Sequence, residues 1–307
     1  MNDDLVQSWP EGFRAGFVAI VGRPNAGKST LTNAMVGQKV AIMSDRPETT
    51  RRAIRGVVHR ENGQIVLVDT PGLHRPRTLL GERLNEMVSE TLADVDVVVV
   101  CLPADEKVGP GDRYVTERAF ETRCPVIAVV TKRDRVAPGV LAEKLIAVDQ
   151  MGEFAAIIPT SGTAGTQVED LVELLIEHLP QSPPLYPPSA VSDESDEAMI
   201  AEFVREAALE GVRDELPHSI AVVVEEMGER PRKGGGTTLF IYTSVIVERE
   251  SQKSIVIGRR GERLRRIGSE ARAQIEERLG RPVYLDLHVK VSKDWQRDPK
   301  KLGRLGF

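Results

Sequence analysis

The chain has 307 residues, 41% of them apolar and 28% charged, which is enough material for two domains with cores of their own. Its N-terminus, MNDDLVQSWPEG, is acidic and lacks any long apolar stretch, so no signal peptide is expected, and the longest apolar run, VDVVVVCLPA (95–104), is far too short to span a bilayer. Cys101 and Cys124 form no spaced framework and read as buried reduced thiols of a cytosolic protein, while the five histidines lack the spacing of a zinc site.

The first 180 residues alternate strand and helix patterns. FVAIVG (17–22), QIVLVDT (64–70), VDVVVVCLP (95–103), PVIAVVTK (125–132) and FAAIIPTS (154–161) are apolar runs of strand length. Helical stretches such as LGERLNEMVSETLAD and VEDLVELLIEHL separate most of them, which predicts a mostly parallel sheet covered on both faces. RAIRGVVHR (52–60) is expected to add one antiparallel strand beside QIVLVDT.

Directly after the first strand, GRPNAGKST fits G-x-x-x-x-G-K-[ST] with Gly22, Arg23, Pro24, Asn25, Ala26, Gly27, Lys28, Ser29 and Thr30. Such a loop turns successive backbone N–H groups inward at a helix N-terminus, making a cage for phosphates. Lys28 supplies mobile positive charge and is the catalytic candidate; the Ser29 hydroxyl is a ligand for Mg²⁺. The next strand ends in Asp69, Thr70, Pro71, Gly72 and Leu73, where Asp69 is placed to hold the Mg²⁺ shell and the Gly72 N–H to meet a γ-phosphate. Between the two, PETTRR (47–52) offers Thr49 and Thr50, hydroxyls that complete the metal's ligands only while γ-phosphate is present. Leu73, directly after Gly72, has no polar group to orient an attacking water, so slow intrinsic turnover is expected. His74 invites a general-base role, against the plainer reading of an exposed loop histidine.

The run VVTKRD (129–134) delivers Thr131, Lys132, Arg133 and Asp134 to the same carboxyl edge, where ligands of open α/β sheets sit. Taken alone, Asp134 could read a base, hold a metal or cap a helix. Beyond a phosphate cage it meets a nucleobase, and a carboxylate there accepts from N1–H and the exocyclic amine of guanine while repelling the N1 acceptor of adenine. Ser161 and Gly162, at the end of the last strand, let a backbone N–H meet guanine O6. In this order the parts resemble a translation-factor-type GTPase, which implies GTP or GDP with Mg²⁺ as cofactors. Two letters depart from the family pattern. Thr131 replaces the Asn of N-K-x-D, whose amide reaches guanine N7 and ties back to the phosphate loop; the loss of one neutral hydrogen bond predicts binding weaker by about 1 kcal/mol. Gly162 replaces the usual Ala, with little effect expected.

PQSPPLYPPSAVSDESDE (180–197) places five prolines within nine residues and cannot continue a helix, so it reads as an extended linker. Past it the order changes to α-β-β-α-α-β. AMIAEFVREAALEG is a helix with Ile200, Phe203, Val204 and Ala207 on its apolar face. SIAVVVEEMGE and TLFIYTSVIVERE are strands around a GGG loop, and VYLDLHVKVS is the last strand. Charge is uneven: the chain is −5 overall, yet residues 251–307 hold 15 Lys+Arg against 7 Asp+Glu, a net of +8, which suits a polyanionic partner. Within IGRRGERLRRIG (257–268), Gly258, Arg259, Arg260 and Gly261 form a G-x-x-G turn between a short helix and a longer one, with Arg263 close behind. KH domains clamp the sugar-phosphate backbone of about four single-stranded nucleotides with such a turn. In the longer helix Leu264, Ile267, Ala271, Ile275 and Leu279 make the buried stripe.

GRPNAGKST, PETTRR, DTPGLH, DELPHSIAV (214–222), GRRGERLRRIG and VKVSKDW (289–295) together resemble the Era GTPase family from end to end. The resemblance implies a P-loop GTPase domain of α/β class with a mostly parallel sheet (1–180), a Pro-rich linker (181–195) and a smaller α+β KH domain of type II (196–307). It further implies binding to the 3′ end of small-subunit ribosomal RNA and the 30S subunit, and a role in small-subunit assembly. Relatives with Asn at the position of Asn25 use a K⁺ ion bridging the phosphates, so K⁺ is implied as an activator. The protein is expected in the cytoplasm; the family's peripheral association with the inner membrane face has no anchor in this sequence. Two other classes stay open: an RNA-binding adaptor with a structural nucleotide site, and an RNA-modification GTPase, for which no second active site is evident.

Overall fold

A computed structural model describes residues 9–43, 50, 51, 53–73, 76, 78–211, 219–231 and 236–305. Thr49 and His74, both singled out above, lie outside the described residues, as do Arg52 and residues 214–218. The described residues of Met1–Ala41, Thr50–His74 and Leu84–Asp193 form one compact unit, and those of Ile42–Thr49, Arg75–Arg83 and Glu194–Phe307 a second.

In chain order the first unit contains β1 (Arg14–Gly22), α1 (Lys28–Val36), β2 (Ile54–Arg60), β3 (Gly63–Asp69), α2 (Leu79–Ala93, from Leu84 on), β4 (Val97–Pro103), α3 (Pro110–Phe120), β5 (Val126–Thr131), α4 (Pro138–Asp149), β6 (Ala156–Pro159) and α5 (Val168–His178). The six strands are ordered β2-β3-β1-β4-β5-β6, and only the β2–β3 pair is antiparallel. Burial on both faces explains the unbroken apolar strands. Val18, Ile20, Val97 and Val99 pack under α1 and α5 on one face, while Ala19, Val21, Val98 and Val100 pack under α2, α3 and α4 on the other. Cys101 is fully buried on β4, and burial pushes its thiol up to about 12, which makes it a packing residue.

The proline-rich segment lies along this unit. Val57 N donates to Val191 O at 2.9 Å, the Gln64 amide bonds Tyr186 and Leu185, and Arg55 pairs with Asp193 at 2.9 Å. The unit therefore runs past residue 180 to Asp193. Backbone groups of this segment that its own turns do not use are taken up by β2 and β3.

The second unit contains α6 (Asp196–Leu209), β7 (Ala221–Pro231), β8 (Thr237–Val247), α7 (Glu250–Ile257), α8 (Glu262–Leu279), β9 (Val283–Val291) and α9 (Pro299–Arg304). Its sheet is β7-β8-β9, antiparallel then parallel. One face packs on α6, α7 and α8 through Ile241, Val245, Phe203, Val256, Ile267 and Ile275. Trp295, fully buried, donates its Nε1–H to Ser219 O at 3.1 Å and so holds the segment after β9 in place.

Candidate nucleotide site and RNA-binding turn

The loop between β1 and α1 alternates hands: Asn25 and Gly27 have φ of 62° and 89°. No side chain caps α1, so the first-turn amides of Lys28, Ser29 and Thr30 are left for a ligand. Lys28 is buried, and its Nζ donates to Gly22 O at 3.3 Å and Arg23 O at 3.0 Å. Burial lowers its pKa against the attraction of Asp69.

Ser29, Thr50 and Asp69 converge beside it. Ser29 Oγ donates to Asp69 Oδ2 at 2.7 Å, lies 3.0 Å from Thr50 Oγ1, and Thr50 Oγ1 reaches the same carboxylate at 3.4 Å. Asp69 Oδ1 is buried with no partner among the described residues. Burial raises this carboxyl to about 6, and Lys28, Ser29 and Thr50 pull the other way. Three hard oxygens and an orphaned carboxylate oxygen are a donor set that fits Mg²⁺.

The segment after Asp69 is fastened to the loop. Leu73 N donates to Gly22 O at 3.2 Å, and Thr70 Oγ1 to Ile20 O at 2.8 Å. A Cβ on Gly72 would stand 2.6 Å from the Pro24 nitrogen, so only glycine lets Pro71 and Gly72 approach the loop. The Leu73 side chain is buried in the core with Val88 and Leu92.

At the far end of the edge, Thr131 Oγ1 donates to Ala26 O at 2.6 Å. The hydroxyl thus keeps the tie to the phosphate loop that was expected to go with the missing Asn amide. Lys132 has φ 58° and lies 3.6 Å from Asp105, which steadies its stem, and Arg133 donates to Gln167 at 2.6 Å. Asp134 is exposed in a single 3-10 turn (Arg133–Arg135). Ser161 Oγ accepts from Ala164 N at 3.0 Å. Gly162 is more constrained than expected: a Cβ there would lie 3.0 Å from Thr30 O, so an Ala would press on α1.

Sequence reasoning missed a clamp on the loop. Arg23 donates through Nε to Asp112 at 2.6 Å and pairs with Glu106 at 2.8 Å. Burial opposes the Arg23 charge, and the two carboxylates outweigh it. Asp112 is itself buried and accepts from Gly109 N at 2.8 Å, capping α3. No spacing rule links residues 23 and 112; the only local signal was Pro-Gly-Asp opening a helix.

In the second unit Gly258 has φ 72° and ψ 179°, a conformation open only to glycine, and a Cβ there would meet Arg263 Cβ at 2.7 Å. Arg259 and Arg260 are exposed and pair with no carboxylate among the described residues. Arg263 is engaged within the unit: its Nη2 donates to Glu210 O at 2.8 Å and Ala208 O at 3.3 Å, and so caps the end of α6. Burial and the neighbouring Arg266 lower its pKa. Next to the turn, Leu264, Gly268 and Ser269 of α8 with Leu285 and Leu287 of β9 line an open groove of about 450 Å³.

Two family models match: a 50S ribosome-binding GTPase over residues 17–132 and a KH domain over residues 215–296. The chain is 60% identical to GTPase Era of Streptomyces coelicolor over 301 residues, covering 96% of this chain and 95% of the relative. It is 56% identical to GTPase Era of Mycolicibacterium smegmatis over 298 residues, covering 96% and 99%. Among solved structures, Aquifex aeolicus Era bound to GDP and aluminium fluoride superposes with a TM-score of 0.91 at 37% identity, covering 96% of this chain and 99% of that one. Era in complex with MgGDPNP and nucleotides 1506–1542 of 16S ribosomal RNA matches with the same TM-score, identity and coverage. With such identity over nearly its whole length, the chain belongs to the Era GTPase family and is a GTP hydrolase.

Proposed function

We propose that the chain binds Mg²⁺·GTP along the carboxyl edge of its six-stranded sheet and grips single-stranded RNA of the small-subunit 3′ end through the Gly258–Gly261 turn. In this reading it works in the cytoplasm, in small-subunit assembly. The observation that carries it is the convergence of Ser29, Thr50 and Asp69 beside an uncapped helix start with left-handed residues in its loop. The solved relative holding both a magnesium nucleotide and a 16S fragment supports it.

Gly22 to Thr30 surround the phosphates, and Lys28 turns from the two loop carbonyls to the β- and γ-oxygens as they arrive. Ser29, Thr50 and Asp69 would hold Mg²⁺, with Thr49 as a further hydroxyl candidate. Bound there, the ion neutralises charge developing on the phosphoryl oxygens. Gly72 N–H faces the γ-phosphate, and Leu73, being buried, supplies no side chain to orient water. Intrinsic turnover is therefore slow. Asp134 reads guanine, Lys132 lies over its plane, and the backbone at Ser161 and Gly162 meets O6. Asn25 contributes to a K⁺ site, so replacing K⁺ by Na⁺ slows turnover; equal rates in both salts remove that assignment. Crosslinking bound RNA to the full chain and sequencing it tests the RNA half: recovery of the small-subunit 3′ end supports it, and recovery of unrelated RNA refutes it.

A further inference from the structure

The sheet of the second unit has a second face, and it is not bland. Side chains alternate along a strand, so β8 turns Ile241 and Val245 to the helices and Phe240 and Tyr242 outward. On β9, Leu285 and Leu287 line the groove beside the G-x-x-G turn, while Tyr284 and His288 stand on the opposite face. Across three strands the outer row is layered. The Arg230 guanidinium lies 3.5 Å from the Phe240 ring centre, and Phe240 stacks with Tyr284 at 5.4 Å and 13°. Tyr284 ends the stack and is 57% exposed.

A near-parallel pair of rings that ends in an exposed face can be extended by another flat ring. Two carboxylates on this face are ion-paired, Glu225 with Lys290 at 2.6 Å and Glu226 with Arg230 at 3.6 Å, and His288 Nε2 lies 3.3 Å from Asp286. Lys290 and Arg230 thus offset two of the negative charges that an approaching polyanion meets beside the rings. β9 is the edge strand of the sheet, so a chain leaving the groove reaches the face of Tyr284 by rounding a single strand. We infer that the RNA strand held at the Gly258–Gly261 turn continues over the β9 edge and stacks an unpaired base on Tyr284, within the Arg230–Phe240–Tyr284 row. This rests on the RNA reading above and extends the bound segment beyond the nucleotides that the turn itself holds.

The test uses the full chain and a ten-nucleotide RNA from the small-subunit 3′ end, intact or with abasic sites everywhere outside its central four nucleotides. Base–aromatic stacking predicts that the parent prefers the intact RNA by about five- to a hundredfold. Tyr284→Ala should erase that preference and Tyr284→Phe should keep it. The salt slope should be the same in all three proteins, because no phosphate contact is lost. An unchanged thermal melt of the second unit, followed by circular dichroism, reports that the variants fold, and GTP turnover should be unchanged in each. A parent indifferent to the abasic sites, or a Tyr284→Ala variant that keeps the full preference, overturns the inference, and the face is then a surface for some other partner. A parent that binds neither RNA fails differently, since that result removes the RNA-binding reading of the whole unit and this one with it.

Discussion

At the phosphate end of the nucleotide unit the side chains of the site are buried and bonded to one another, whereas in the second unit the arginine side chains of the Gly258–Gly261 turn stand in solvent and pair with no carboxylate among the described residues. Lys28 and Asp69 are 6% and 0% exposed, and Thr131 is 4% exposed. Arg259 and Arg260 are open. The difference follows from the ligands. A magnesium triphosphate is compact and needs several groups within about 3 Å of one another, which only a packed sheet edge can hold. An RNA backbone is extended and is met by charge on a turn, with affinity that salt can weaken. Substitutions in the first region should thus change chemistry steeply and leave salt dependence alone, and those in the second should do the reverse.

The largest effect is expected from Lys28→Ala. It removes the cation that faces the β–γ bridge, and kcat should fall by about a hundred- to a thousandfold, the scale of losing one preorganised charge-stabilising donor. Steady-state turnover checks this, with circular dichroism to show the fold. Turnover like the parent's would disqualify the phosphate-loop assignment. Asp134→Asn comes next. Charge-assisted hydrogen bonds contribute about 1.5–3 kcal/mol each, so exchanging the carboxylate for an amide should weaken GTP by about a hundredfold and favour XTP. Competition between GTP and XTP measures it, and an unchanged preference would remove Asp134 as base reader.

The RNA side should respond differently. Arg259→Asp with Arg260→Asp keeps the glycines of the turn and reverses the charge beside them. RNA affinity should drop about tenfold or more, and the salt slope should become shallower by roughly 0.7 log units per lost contact. GTP binding should be untouched. Arg263→Ala sharpens the contrast, because its guanidinium caps α6. It should lower thermal stability by about 1–3 kcal/mol, as carbonyls are left unbonded, with the slope of RNA binding intact. If Arg263→Ala flattens the slope as the Asp pair does, Arg263 touches RNA after all.

The same contrast explains what could be read in the sequence. Motif letters in the nucleotide unit name positions where packing admits one residue: Gly72 against Pro24 is an instance, and the two-sided burial of β1, β3, β4 and β5 wrote itself as continuous apolar runs. The α-β-β-α-α-β order was equally legible, since α6 and α8 carry clear apolar stripes. Among exposed arginines, however, the letters do not say which is engaged. Arg259 and Arg263 look alike in GRRGER until the carbonyls of Ala208 and Glu210 are seen beside the second. The Arg23–Asp112 clamp joins residues 89 apart in sequence, and the linker's bonds to β2 and β3 come from backbone groups and from Gln64 and Arg55, which no local pattern ties to residues more than a hundred positions away.

Thr131 gives the smallest and most pointed effect. The Asn usual at this position would make two bonds, one to the phosphate loop and one to guanine N7. Here the hydroxyl already donates to Ala26 O at 2.6 Å, so only the base contact is missing. Thr131→Asn should therefore tighten GTP and GDP by about fivefold, the equivalent of one neutral hydrogen bond of roughly 1 kcal/mol. Thr131→Val keeps the shape and removes the tie, leaving Ala26 O without this donor in a buried place. It should weaken nucleotide binding and lower thermal stability by about 1–3 kcal/mol. Isothermal titration with GDP separates the two bonds, since Asn changes the base contact alone and Val the loop tie alone. If Thr131→Asn binds no more tightly than the parent, the hydroxyl already serves the base as well as the loop, and the expected penalty of this departure from the family pattern does not exist.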